Sequence, residues 1–145
     1  MPASLSTILV ASDGSEESRL AIDRAVRLAQ QDDADLHLVH VGLLSKWVQP
    51  DTLSSKQYER IKQEAENRLD AEVAYAEEVG GTVTEAHRRM GKADSEIIEL
   101  SEELDADLIL LGSRGEGTIE RIVLGNDSEN VVRYAPCSVM VVRST

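Results

Sequence analysis

Short apolar runs alternate with longer amphipathic stretches along the whole chain, the pattern of a parallel sheet covered on both faces by helices. Five strands are predicted: Thr7 to Ser12, Leu36 to Val41, about Thr82 to Arg89, Leu108 to Leu111, and Val139 to Val142. The third is the least apolar, with Val83 and Ala86 as its main hydrophobic residues. Between them, Glu16 to Gln30 repeats Leu20, Ala21, Ala25, Leu28 and Ala29 at helical spacing, with Ser15 as its N-cap and Glu16 and Glu17 suiting the first turn. Ser55 to Val79 puts Tyr58, Ile61, Ala65, Leu69, Val73 and Ala76 on one face, and Gly80-Gly81 stops it. Ala93 to Leu104 and Asn126 to Tyr134 complete the helices, the last ending before Pro136. Gly42 to Leu53 has no clear period and reads as a mobile connection. The fold class is therefore α/β, a five-stranded parallel sheet with helices on both faces.

In such a sheet, ligands sit beyond the carboxyl ends of the strands where the strand order reverses. For the common order 3-2-1-4-5 that point lies between strands one and four. These two strands are followed by the two most unusual loops of the chain, Ser12-Asp13-Gly14-Ser15 and Gly112-Ser113-Arg114-Gly115-Glu116-Gly117. Gly125-Asn126-Asp127-Ser128-Glu129 then opens the last helix. Glycines let backbone N–H groups approach a phosphate, and a helix N-terminus adds unpaired donors and the positive end of a dipole. Asp13 and the end of strand two, Val39 to Val41, would flank the other end of the cleft and hold a ribose or base. Glycines after strands are also ordinary turn residues, and Asn126 with Glu129 three residues on also fits a helix cap. Ser128 suits a phosphate contact or solvent. Arg114 and Arg121 are further candidate phosphate partners.

Composition narrows the function. With 145 residues the chain fits one domain spanning 1–145, and 41% hydrophobic against 29% charged residues is a globular balance without an apolar run long enough to span a bilayer. A formal charge of −12 and a pI near 4.6 argue against nucleic acid and anionic membranes as partners. Met1-Pro2-Ala3-Ser4-Leu5 carries no basic residue and reads as neither a secretory signal nor a transit peptide, so a cytoplasmic protein is expected. Cys137 is the single cysteine, and a packing role is expected of it. His37 and His40 have opposite parity on one strand and cannot share a metal, His87 is isolated in sequence, and no ligand spacing such as H-E-x-x-H occurs. The carboxylates of Glu64, Glu66, Asp70 and Glu72 read as solvated surface. There is no G-x4-G-K-[ST] P-loop and no general base placed by motif, so no catalytic residue is assigned and at most very slow hydrolysis of a phosphoryl group is expected. The last strand would be an exposed apolar edge in a monomer, which predicts a twofold homodimer through Val139 to Val142.

Gly112-x2-Gly115-x9-Gly125 resembles the ATP-binding pattern G-x2-G-x9-G-[ST] of the universal stress protein family. Ile8 to Ser15 looks like that family's opening strand and loop, Ala106 to Gly115 like its fourth strand, and Tyr134 to Val142 like its ending, so the resemblance covers essentially the whole chain. It implies a Rossmann-like sheet of order 3-2-1-4-5, a homodimer through the last strand and, in one branch, bound ATP, with any Mg²⁺ carried by the nucleotide. Carried over, Ala11, Asp13 and Val41 would flank adenosine, and Gly112 and Gly115 would line ribose and phosphates. Gly125 would open the phosphate-binding helix, with Asn126 and Ser128 in its first turn. The chain departs from the pattern at Asn126, where Ser or Thr is usual, and Asp127 adds a carboxylate beside it. The implied role is a nucleotide-dependent regulatory module in stress response. A nucleotide-free dimeric interaction module and a slow ATP hydrolase are the alternatives.

Overall fold

A computed structural model describes residues 4–43, 54–113 and 126–144 of the chain. Its elements are β1 (Thr7–Ala11), α1 (Glu16–Asp32), β2 (Asp35–Leu43), α2 (Ser55–Glu78), β3 (Glu85–Gly91), α3 (Ala93–Leu104), β4 (Leu108–Gly112), α4 (Asn126–Tyr134) and β5 (Ser138–Val142). The strands form one sheet in the order β3-β2-β1-β4-β5, with every neighbouring pair parallel. This is the α/β sheet predicted from the chain, in the Rossmann-like order that the resemblance implies.

Side-chain alternation divides the core between the two faces. Ile8, Val10, Leu36, Leu38, Leu108 and Leu110 pack with the buried stripes of α1 and α2. Leu9, Val39, Val41, Ile109 and Leu111 pack with Ile97 and Leu100 of α3 and Val131 of α4. Ile8, Leu9 and Val10 are all fully buried because β1 is covered on both faces. Each such side chain contributes roughly 1.5–3 kcal/mol of transfer free energy. Ser15 caps α1 as predicted, its side chain accepting from the Ser18 backbone N–H at 3.2 Å.

Four expectations change. β3 begins at Glu85 rather than near Thr82, because Thr84 ends the approach by bonding Leu36 twice, backbone N–H to carbonyl at 2.7 Å and Oγ1 to N–H at 3.0 Å. β2 runs on through Gly42 and Leu43, which pair with Met90 and Gly91, so the first two residues assigned to a connection belong to the sheet. The remainder of that segment, 44–53, lies outside the described residues. α1 continues two residues beyond Gln30, and Asp33 then closes it in the left-handed conformation at φ 54°. Glu72 is the largest correction. It is 1% exposed rather than solvated, since Ala65, Leu69, Glu72 and Ala76 follow the helical period into the core. Arg19 answers it from α1 at 3.3 Å and lies over the Tyr75 ring, whose hydroxyl donates to Asp23 at 2.8 Å. Of its acidic neighbours, Glu64 and Asp70 are exposed and Glu66 is half-buried against Arg88 at 2.9 Å.

Candidate functional site

The strand order reverses at β1, which pairs with β2 on one side and β4 on the other. Adjacent crossovers therefore leave toward opposite faces, the place where sheets of this kind form a crevice above the carboxyl ends of their strands. Ala11 is the last residue of β1 and pairs with Val39, so buried Val41 extends two residues farther, alongside the loop that begins at Ser12. Gly112 ends β4 beside Val142 of β5. Ala11, Asp13, Val41 and Gly112 are thus brought to one end of the sheet.

Each loop residue also has a structural task. Asp13 Oδ1 accepts from the Ser15 N–H at 2.9 Å, forming the turn that delivers Ser15 to its capping position. Arg68 of α2 donates to the Asp13 carbonyl at 2.7 Å and braces the loop from outside. Gly14 has φ +87°, and a Cβ there would stand 2.5 Å from Arg68 Nη1. At Gly112 a Cβ would lie 2.8 Å from the backbone of Glu17 and Ser18, so glycine is needed to let the first turn of α1 sit on the end of β4. The N-terminal turn of α1, with the donors of its first residues, is therefore held against the crevice.

The last helix is anchored at the same end. Ser128 Oγ donates to the Gly112 carbonyl at 3.2 Å, and Asn130 Nδ2 donates to Asp94 Oδ2 at 2.8 Å. The first bond fixes the start of α4 beside the end of β4, and the second ties α4 to the first turn of α3. Ser128 thus has a structural partner, whereas its sequence suggested only phosphate or solvent. Gly115, Gly125, Arg114 and Arg121 lie outside the described residues, as do the side chains of Asn126 and Asp127. A separate open groove of about 410 Å³ runs between α3 and α4. Asp94, Glu99 and Glu102 line it, a field that repels phosphate.

The histidines separate as their parity requires. His40 faces the α1 and α2 side, its Nδ1 2.8 Å from the Ser12 carbonyl. His37 faces the other side, where strand pairing sets it against His87, isolated in sequence: the two rings meet edge to edge, with Nδ1 and Nε2 3.0 Å apart and centroids 5.2 Å apart. Burial pushes the His87 imidazole below its ordinary value, opposed by the Glu85 carboxylate. Burial, then the Asp107 carboxylate, push the Cys137 thiol up, in keeping with its packing against the α3 and α4 core.

The universal stress protein family model matches residues 5–143. A putative universal stress protein of Staphylococcus aureus (strain USA300) is 36% identical over 138 residues, covering 94% of this chain and 83% of the relative. The universal stress protein UspA from Lactobacillus plantarum has the same fold at a TM-score of 0.82 and 27% identity, covering 98% of this chain and 100% of that one. A universal stress protein solved in complex with cAMP superimposes at 0.76 with 25% identity, covering 99% and 100%. Among the described residues no helix is long and apolar enough to cross a membrane.

Proposed function

The chain belongs to the universal stress protein family, and from that premise we propose that it is a cytoplasmic, nucleotide-dependent binding module in stress response. It takes ATP, with Mg²⁺ carried by the triphosphate, beyond the carboxyl ends of β1 and β4. The observation that carries this reading is the anchoring of the first turn of α4 to the end of β4 through Ser128 and Gly112, opposite the braced Asp13 loop. A helix N-terminus fixed there presents backbone donors to a polyphosphate. Ala11, Asp13 and Val41 would border the adenosine, and Gly112, Gly115, Gly125, Asn126 and Ser128 the ribose and phosphates. The relative solved with cAMP supports an adenine nucleotide as the ligand class.

Native mass spectrometry of freshly purified protein, followed by calorimetry, tests this. One ATP per chain is expected, with phosphate release far below the roughly 1–1,000 per second of ordinary enzymes. Turnover within that range would move the protein to the hydrolase reading. Absence of ATP binding in the wild type, restored by the Asn126→Ser, Asp127→Val double substitution, would place the chain with the nucleotide-free module.

The same reading pairs two chains through β5. Among the described residues this strand bonds only β4 within the sheet, and Val139, Met140 and Val141 remain half-buried along it. An unpaired apolar edge is a template for a second strand. Light scattering is expected to give twice the chain mass, and Val141→Lys to lower it toward the monomer. A monomeric wild type at micromolar concentration would refute the pairing.

A further inference from the structure

Three ligating side chains converge at the other end of the sheet, near its β3 edge. His37 and Glu85 are register partners on β2 and β3, and His87 follows Glu85 by two residues, on the same face. His37 Nδ1 lies 3.0 Å from His87 Nε2, and Glu85 Oε1 lies 3.9 and 3.6 Å from those same two nitrogens. Both carboxylate distances exceed hydrogen-bonding range, so neither ring holds Glu85 in place through such a bond. Donor atoms around a tetrahedral ion with bonds of about 2.0–2.2 Å stand roughly 3.3–3.6 Å apart, a spacing that the observed separations bracket. A point equidistant from the three atoms lies about 2.1 Å from each, the length of a Zn–N or Zn–O bond.

We propose that His37, Glu85 and His87 form a binding site for one divalent cation of the zinc class, with its fourth position open to solvent at the sheet edge. Two imidazoles and a carboxylate are donors that zinc accepts, whereas Mg²⁺ and Ca²⁺ favour all-oxygen sets. The His37 and His87 side chains are only 10% and 16% exposed while Glu85 is 63% exposed, so two positioned rings meet an accessible carboxylate. Arg89, next on that face of β3, is matched by Glu103 at 2.6 Å and Glu96 at 3.9 Å, which offsets its repulsion of a cation. Without metal the two rings share one N–H between the facing nitrogens. Metal binding needs both lone pairs directed at the ion, so the donor ring moves that proton to its other nitrogen and both rings turn from facing each other toward the ion. The bound ion ties the edge strand β3 to β2.

The test uses the untagged full chain, stripped with EDTA and titrated with ZnCl₂ in physiological salt and excess Mg²⁺, conditions that suppress diffuse binding to carboxylates. One zinc per chain is expected. Zinc at about a hundredfold over its Kd should raise Tm by roughly 5–10 °C, reversibly on adding EDTA. Co²⁺ in its place should give the intense visible absorption of a four-coordinate ion. His87→Gln and Glu85→Gln should each weaken zinc at least about tenfold and remove the cobalt signal. Zinc bound as tightly by either folded variant as by the wild type overturns the site, as does a wild type whose Tm ignores zinc. Should His87→Gln not fold, the exposed Glu85→Gln decides the matter alone. Nucleotide plays no part in this titration, so its outcome is independent of the ATP reading.

Discussion

At the carboxyl ends of β1 and β4 the candidate donors are backbone groups and short polar side chains on loops and helix starts. At the amino ends of β2 and β3 they are two imidazoles and a carboxylate carried by strands. The first arrangement places its parts through local turns, such as Asp13 to Ser15, and through close backbone approach at Gly112. The second depends on strand register alone, since a one-residue slip would turn Glu85 and His87 to the opposite face. The two ends should therefore respond to different substitutions.

The largest effect is expected of Gly112→Val. The new side chain meets the backbone of α1 rather than a flexible side chain, so a loss of roughly 3 kcal/mol is expected. Thermal unfolding should show it as a fall in Tm of about 10 °C. A near-normal Tm would mean that α1 does not rest on β4 in solution. Gly115→Val should separate folding from binding, lowering ATP affinity at least about a hundredfold by calorimetry while leaving Tm and zinc affinity near wild type. Retained ATP affinity would remove Gly115 from the phosphate loop. Ser15→Ala should cost about 1 kcal/mol through loss of the α1 cap, measured by urea denaturation, again without changing zinc affinity.

The smallest effect concerns Asp127. Two unit charges 4 Å apart interact by about 4 kcal/mol at an effective dielectric of 20 before solvent and Mg²⁺ screen them, so the net cost to ATP should be far smaller. Asp127→Val is expected to tighten ATP binding a few-fold, with a lesser gain for AMP and for ATP at high salt. Unchanged ATP affinity together with a small loss of Tm would assign Asp127 to the helix dipole alone.

The chain by itself determined the element order and the loops that follow β1 and β4, whereas the strand order came from the common arrangement and the family resemblance. The elements and loops rest on periodicity, capping and glycine placement, which act between residues close in sequence. Ser15 was legible as a cap because its partner is three residues away. The burial of Glu72 was latent in the same periodicity, since it follows Leu69 by three residues, but a carboxylate among charged neighbours points to solvent unless a partner from another element meets it. Only the tertiary structure decided that Arg19 and Arg68 would reach across from their helices to Glu72 and to the Asp13 carbonyl. It also decided that Gly112 serves packing against α1 and that Ser128 ties α4 to β4. His37 and His87 are separated by 50 positions, and no local pattern relates them. Parallel pairing of β2 with β3, in the register that sets His37 against Glu85 and Val39 against His87, brings them together, a property of the sheet rather than of any one segment.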